Sequence, residues 1–186
     1  MRLSRKFGGL LAAAMIASGL TAAAAPARAS SPYWQIRTFY GVSALEECVQ
    51  GDLGGPLGST VTQHYCDPTF TATDQLWQPI SLGGNGYKFE NVATKMCLEA
   101  RFGAVNAQPV ALWFCDSTES NTNWAWNDLN PGGSVFPDQG VIQSRVSGST
   151  GYCLDVPGAS TAIGISLQLY HCNNTYAQGY LITQPA

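Results

Sequence analysis

Three side chains near the C-terminus are the leading candidates for chemistry: Asp155, Gln168 and Tyr170. Asp155 follows Cys153 by two residues, and Gln168 and Tyr170 precede Cys172 by four and two. Side chains two apart on a strand share a face. Asp155 therefore faces the same way as Cys153, and Gln168 and Tyr170 the same way as Cys172. If these cysteines are bonded, their Cβ atoms lie about 3.8 Å apart, and the bond draws the acid, the amide and the ring together. A carboxylate accepts charge-assisted hydrogen bonds from hydroxyls. An amide both donates and accepts, and an aromatic ring covers an apolar C–H face. Together they suit a saccharide, with no metal and no bond to break.

The elements that would hold this group recur three times. Cys48 and Cys66 are 18 residues apart, Cys97 and Cys115 are 18 apart, and Cys153 and Cys172 are 19 apart. The pairs recur after 49 and 56 residues. Cys48-Val49-Gln50, Cys97-Leu98-Glu99 and Cys153-Leu154-Asp155 open the units, and His64-Tyr65-Cys66, Trp113-Phe114-Cys115 and Tyr170-His171-Cys172 close the loops. Beyond them stand Gln75-Leu76-Trp77, Thr122-Asn123-Trp124 and Gln178-Gly179-Tyr180. A repeat of about 50 residues takes precedence over any local pattern. Of the 15 pairings open to six cysteines, the spacing favours three bridges, each inside one repeat.

Within a repeat the periodicity is that of strands. Ile165, Leu167 and Leu169 alternate with Ser166, Gln168 and Tyr170, and Val110, Leu112 and Phe114 alternate with Ala111, Trp113 and Cys115. That is period two, with one face apolar. Gly54-Gly55-Pro56, Gly83-Gly84-Asn85-Gly86, Pro131-Gly132-Gly133 and Pro157-Gly158 punctuate the gaps, as turns require. The expected class is all-β, with Leu154, Leu167 and Leu169 pointing into the core.

These landmarks resemble the ricin B-chain type of β-trefoil lectin (the R-type lectins), a type also catalogued as a family 13-like carbohydrate-binding module of bacterial glycosidases. The resemblance rests on Cys153-Leu154-Asp155-Val156, on Ser166-Leu167-Gln168-Leu169-Tyr170-His171-Cys172, and on Gln178-Gly179-Tyr180 in the family's Gln-x-Trp place. Gln75-Leu76-Trp77 fits that place fully. The likeness runs from about Tyr33 to Ile182. It implies twelve strands in three pseudo-equivalent lobes, a shallow sugar site on each competent lobe, and galactose-type ligands.

Carried over residue by residue, the family site is uneven. In the third repeat the acid falls on Asp155, the amide on Gln168, the stacking ring on Tyr170 and the motif Gln on Gln178. Ala177 stands where an Asn is usual, a loss of one hydrogen bond or about 1 kcal/mol, with Asn173 or Asn174 as its substitute. The second repeat offers an altered site of Glu99, Trp113 and Asn121, with Ala111 for the amide and Thr122 for the motif Gln. The first carries Gln50, Thr62 and His64 at the three places and reads as structural. Trp77, Trp124 and Tyr180 read as core aromatics, Gln178 as either a sugar contact or a support from behind, and His64 and His171 as surface strand residues.

The first 29 residues read as a secretory leader: Arg2, Arg5 and Lys6, an apolar stretch from Gly8 to Leu20, then Ala27-Arg28-Ala29. The apolar run is short of the roughly 20 residues a bilayer requires. Removing 29 of 186 residues leaves 157, one domain covering 30–186, with repeats at about 33–82, 83–137 and 138–186. It retains five basic and twelve acidic residues, a net charge of −7. The cations Arg37, Lys88, Lys95, Arg101 and Arg145 are scattered, which excludes the clustered charge of a nucleic-acid or anionic-membrane binder. Six cysteines, an even number in an exported chain, fit an oxidising compartment.

Nothing here has the pattern of an enzyme. Two histidines and disulfide-committed cysteines leave neither a zinc site nor a thiol nucleophile. No Gly-x-Ser-x-Gly elbow occurs, and the adjacent Glu46 and Glu47 face opposite ways on a strand. No cofactor is implied. Asn173-Asn174-Thr175 is a glycosylation sequon, a weak motif by itself. The expectation is an exported carbohydrate-binding domain, acting alone or as the targeting subunit of a separate enzyme or toxin. The alternative is the same fold used for protein contact, as an inhibitor-like or adhesion module.

Overall fold

The computed structural model describes residues 31–40, 43–116, 118, 120–128, 139–146 and 151–184, and the expected leader lies outside them. The first repeat supplies β1 (Trp34–Tyr40), β2 (Ser43–Gln50), β3 (Thr62–Tyr65) and β4 (Leu76–Gly83). The second supplies β5 (Gly86–Asn91), β6 (Cys97–Glu99), the two-residue β7 (Gln108–Pro109), β8 (Ala111–Trp113) and β9 (Trp124–Asp128). The third supplies β10 (Gln139–Ser144), β11 (Tyr152–Asp155), β12 (Gln168–His171) and β13 (Tyr180–Thr183). These are three sets of four strands, with β7 as an extra piece edging β12.

The outer strands of each set close a barrel. The antiparallel pairings run β1–β4, β4–β5, β5–β9, β9–β10, β10–β13 and β13–β1. The inner strands form three hairpins, β2–β3, β6–β8 and β11–β12. The hairpins meet around a pseudo-threefold axis through a cycle of backbone bonds. Val61 N–H donates to Val110 (2.9 Å), Val110 N–H to Leu167 (3.0 Å), and Leu167 N–H to Val61 (2.8 Å). Each of these residues stands five before its closing cysteine and is fully buried. A buried backbone with no water to meet must find partners of this kind.

The core follows the apolar landmarks of the repeats. Val49, Leu98 and Leu154, each directly after an opening cysteine, are fully buried with Trp77, Trp124 and Tyr180. The indole N–H of Trp77 donates to Val49 O at 2.9 Å and that of Trp124 to Leu98 O at 2.8 Å. These two indoles tie the first and second hairpins to the barrel, as expected of core aromatics. Leu154, Leu167 and Leu169 are fully buried. The bridges are Cys48–Cys66, Cys97–Cys115 and Cys153–Cys172, one in each repeat. Phe114 departs from the expected alternation: β8 ends at Trp113, and the ring beyond it is 58% exposed.

Candidate functional site

In the third repeat, β11 and β12 pair in a register that sets Cys153 opposite Tyr170 and Asp155 opposite Gln168. With period two, all four side chains rise from one face of the hairpin. Asp155, Gln168 and Tyr170 line one cavity of about 400 Å³ with Gly158, Ala159, Asn173, Thr175 and Ala177. Tyr170 is 38% exposed, whereas the Asp155 side chain is all but buried. The wall is thus a ring open to solvent, and the floor is a recessed carboxylate.

The carboxylate is held from two sides. Gln168 Nε2 donates to Oδ1 at 2.8 Å and Gln178 Nε2 to Oδ2 at 3.1 Å. Two oxygens offer about four acceptor positions, so each keeps room for a hydroxyl. With Nε2 donating to Asp155, Gln168 brings an amide oxygen, an acceptor by its chemistry, to the cavity it lines. Gln178 is itself locked: Nε2 also donates to His171 O (2.9 Å), and Oε1 accepts from Asn173 N–H (2.9 Å). It is fully buried, so it aims Asp155 from behind and does not line the cavity.

Burial pushes the Asp155 carboxyl above the ordinary aspartate value, opposed by the hydrogen bonds from Gln168 and Gln178. Asp67, in the first repeat, goes the other way, held below that value chiefly by the Thr69 hydroxyl and by the Thr69 and Ala72 amides. The signs for stability are opposite. Asp155 binds its proton more tightly when folded, so its contribution to stability falls as pH rises from about 3.9 through its raised folded value. Asp67 contributes above the ordinary value, and that contribution is lost as pH falls below it. Carboxyl carbon NMR is expected to place the Asp155 midpoint above about 3.9 and that of Asp67 below. An Asp155 midpoint at or below the ordinary value would contradict the burial.

The other two repeats keep the frame with different chemistry. In the second, Asn121 Nδ2 donates to Glu99 Oε1, and Glu99 is buried. Trp113 is half-exposed, but Arg101 stands over it, 5.5 Å from the ring centroid and 4.8 Å from that of Phe102. Where the motif amide is missing, the buried Lys88 donates to Thr122 Oγ1 and to Asp116 O (2.6 Å). In the first repeat Gln75 Nε2 donates to Gln50 Oε1 (3.0 Å) and Tyr65 O (2.7 Å), and its Oε1 accepts from Asp67 N–H (2.7 Å). This is the Gln178 arrangement with an amide for the acid. His64 is half-exposed, and His171 is exposed and stacks on Tyr152 at 4.5 Å.

No family model matches the chain, and no curated protein matches it in sequence. Solved structures do. ThreeFoil, a designed threefold-symmetric protein, matches with a TM-score of 0.66 at 18% identity, covering 82% of this chain and 99% of that one. The ricin B-like lectin of Macrolepiota procera, solved with lactose, matches with a TM-score of 0.64 at 14% identity, covering 86% and 100%. A mosquitocidal holotoxin matches with a TM-score of 0.66 at 20% identity, over 85% of this chain but 18% of its own. The fold is a β-trefoil. The likeness to ricin B-type trefoils read from the repeats is thus present in three dimensions, at low identity.

Among the residues lining the third-lobe cavity, Ala159 is the one that no motif of the sequence marks. Gly158 and Ala159 both adopt positive φ, 64° and 50°, in a turn closed by Ala159 N–H to Val156 O at 2.9 Å. The positive φ suits Gly158, which lacks a Cβ. The following segment is pinned from the first lobe, where the buried Gln63 donates through Nε2 to Ser160 O (2.7 Å) and Ala162 O (2.8 Å). Asn173 and Thr175 belong to a further repeat, Cys-Asp-Pro-Thr, Cys-Asp-Ser-Thr and Cys-Asn-Asn-Thr after the closing cysteines. In each, the Asp or Asn side chain accepts from the Thr N–H and hydroxyl, Asn173 Oδ1 at 3.1 and 2.7 Å. The sequon Asn173-Asn174-Thr175 is thereby one copy of a turn that all three lobes share.

Proposed function

We propose that this trefoil is an exported carbohydrate-binding domain whose main site is the third lobe, taking galactose-type sugars or plant or microbial polysaccharide. The supporting observation is the convergence of Asp155, Gln168 and Tyr170 on one cavity. A sugar ring lies with its C–H face on Tyr170, two hydroxyls donate to Asp155, and Gln168 Oε1 accepts from a neighbouring hydroxyl. No bond is broken, so recognition is the whole of the chemistry. Lactose in the Macrolepiota procera lectin is a property of that protein, and it makes lactose the first ligand to try. The holotoxin, in which the trefoil is one portion of a longer chain, supports a role as the targeting part of a toxin or hydrolase.

The test is retention on immobilised galactose or polysaccharide with free sugar as competitor. Retention that free sugar reverses is expected, and Tyr170→Ala is expected to weaken it at least about tenfold with the thermal midpoint little changed. Ring stacking beyond area burial is worth about 0.5–1.5 kcal/mol, and the buried C–H patch adds to that. Binding indifferent to free sugar would favour protein contact, and full affinity in Tyr170→Ala would remove the ring from the site.

A further inference from the structure

The three repeats differ at the position that faces the opening cysteine across the ladder. Arg37 lies opposite Cys48, Glu90 opposite Cys97, and Gln143 opposite Cys153. In two repeats this side chain is engaged internally. Glu90 pairs with Lys95 Nζ at 3.5 Å, and Gln143 accepts from Asn127 Nδ2 at 2.7 Å while its own amide lies 3.8 Å from Cys172 Sγ. Arg37 is different. Its Nε and Nη2 both donate to Gln35 Oε1 at 3.0 Å, and among the described residues no carboxylate pairs with it.

The guanidinium is preorganised by that contact. Gln35 is fully buried and anchored through Nε2 to Asp67 O at 3.0 Å. Two of the five guanidinium N–H groups are engaged, leaving three donors. Arg37 lines a cavity of about 300 Å³ with Tyr65, Cys66 and Pro68. Tyr65 is 57% exposed and offers a ring at the cavity mouth. This volume is at the lower limit of small-molecule pockets, with room for a single ring. A fixed guanidinium with unused donors takes a carboxylate in two-point fashion, and a ring beside it takes an apolar C–H face.

We propose that the first lobe, silent at the acid-amide-aromatic positions, carries a second site of different chemistry: an acidic sugar, a uronic acid residue, with its carboxylate on Arg37 and its ring against Tyr65. The carboxylate half stands on Arg37 alone, and the saccharide half rests on the sugar-binding reading above. The two sites then divide an acidic polysaccharide between them, neutral residues to the third lobe and charged ones to the first.

NMR titration with sodium galacturonate, galactose and sodium acetate tests this on the wild type and on Arg37→Gln, Tyr65→Ala and Asp155→Ala. Galacturonate is expected to shift Tyr65 signals, to lose at least about tenfold in affinity in Arg37→Gln and several-fold in Tyr65→Ala, and to weaken with added salt. That binding is expected to survive Asp155→Ala, which removes only the third-lobe site. Tyr65→Ala alters an exposed ring and keeps the test open should Arg37→Gln fold poorly. Galacturonate binding unchanged in both first-lobe variants, or lost in Asp155→Ala, would overturn the site, as would its absence in the wild type. Acetate binding as tightly as galacturonate would overturn the saccharide half. Galactose failing to bind while galacturonate does would count against the third-lobe reading and leave Arg37 standing.

Discussion

Asp155→Ala is expected to reduce affinity for a galactose-type ligand by about 100-fold or more, because it removes the acceptor of two charge-assisted hydrogen bonds. Such bonds are worth about 1.5–3 kcal/mol each, and every 1.4 kcal/mol is about a factor of ten. The substitution also acts on the fold. Gln178 is fully buried and donates through one Nε2 to both Asp155 Oδ2 and His171 O. Without the carboxylate one of its N–H groups has no acceptor, at about 1–3 kcal/mol, a drop of a few degrees in thermal midpoint for a domain of this size. Asp155→Asn is expected to relieve much of this, because its Oδ1 can accept from the locked Gln178 while the Gln168 amide, which lines the cavity, turns to accept from its Nδ2. Calorimetric titration with lactose, paired with thermal unfolding, separates the two effects. Undiminished affinity in Asp155→Ala would remove the acid from the site.

The second large effect concerns the bridge beneath the site. Replacing Cys153 and Cys172 by Ala opens a loop spanning 19 positions and is expected to cost about 3 kcal/mol of stability, from the entropy returned to the unfolded chain. Cys48–Cys66 and Cys97–Cys115 close loops of nearly equal span, and their removal is expected to cost about as much. The outcome differs in binding. Cys153 sits across the ladder from Tyr170, so only the third-lobe substitution loosens the acid and the ring relative to each other. Urea unfolding should show the three losses to be comparable, and lactose titration should show affinity for galactose-type sugar weakened only for the third. A loss under about 1 kcal/mol would mean that the barrel holds the hairpin unaided.

The repeat was the most legible feature of the chain, since cysteine spacing, the apolar residue after each opening cysteine and the aromatic two after each motif position recur in plain text. Those positions are the bridges, the buried Val49, Leu98 and Leu154, and the rings of Trp77, Trp124 and Tyr180. The shared face of Asp155, Gln168 and Tyr170 was legible because a pleat is local and its period is two. What escaped are contacts between side chains far apart in sequence. Lys88 reaches Thr122 across 34 residues, and Gln63 holds Ala162 across 99. No periodicity links such partners. Phe114 escaped for a smaller reason: the strand stops one residue before it, and alternation carries no information beyond a strand's end. Arg101 over Trp113 is a rotamer choice, and residue order does not encode it.

In the proposed complex a saccharide rests on the third-lobe hairpin between Tyr170 and the recessed Asp155. The most direct measurement is an amide-detected NMR titration of the wild-type chain with lactose, in which each non-proline backbone amide is a reporter. Saturable shifts are expected, centred on Asp155, Gln168, Tyr170, Ala159 and Asn173, with the equivalent hairpin residues Gln50, Thr62 and His64 unmoved. Shifts centred on the first-lobe hairpin, or none that saturate with any galactose-type or polysaccharide ligand, would contradict that placement.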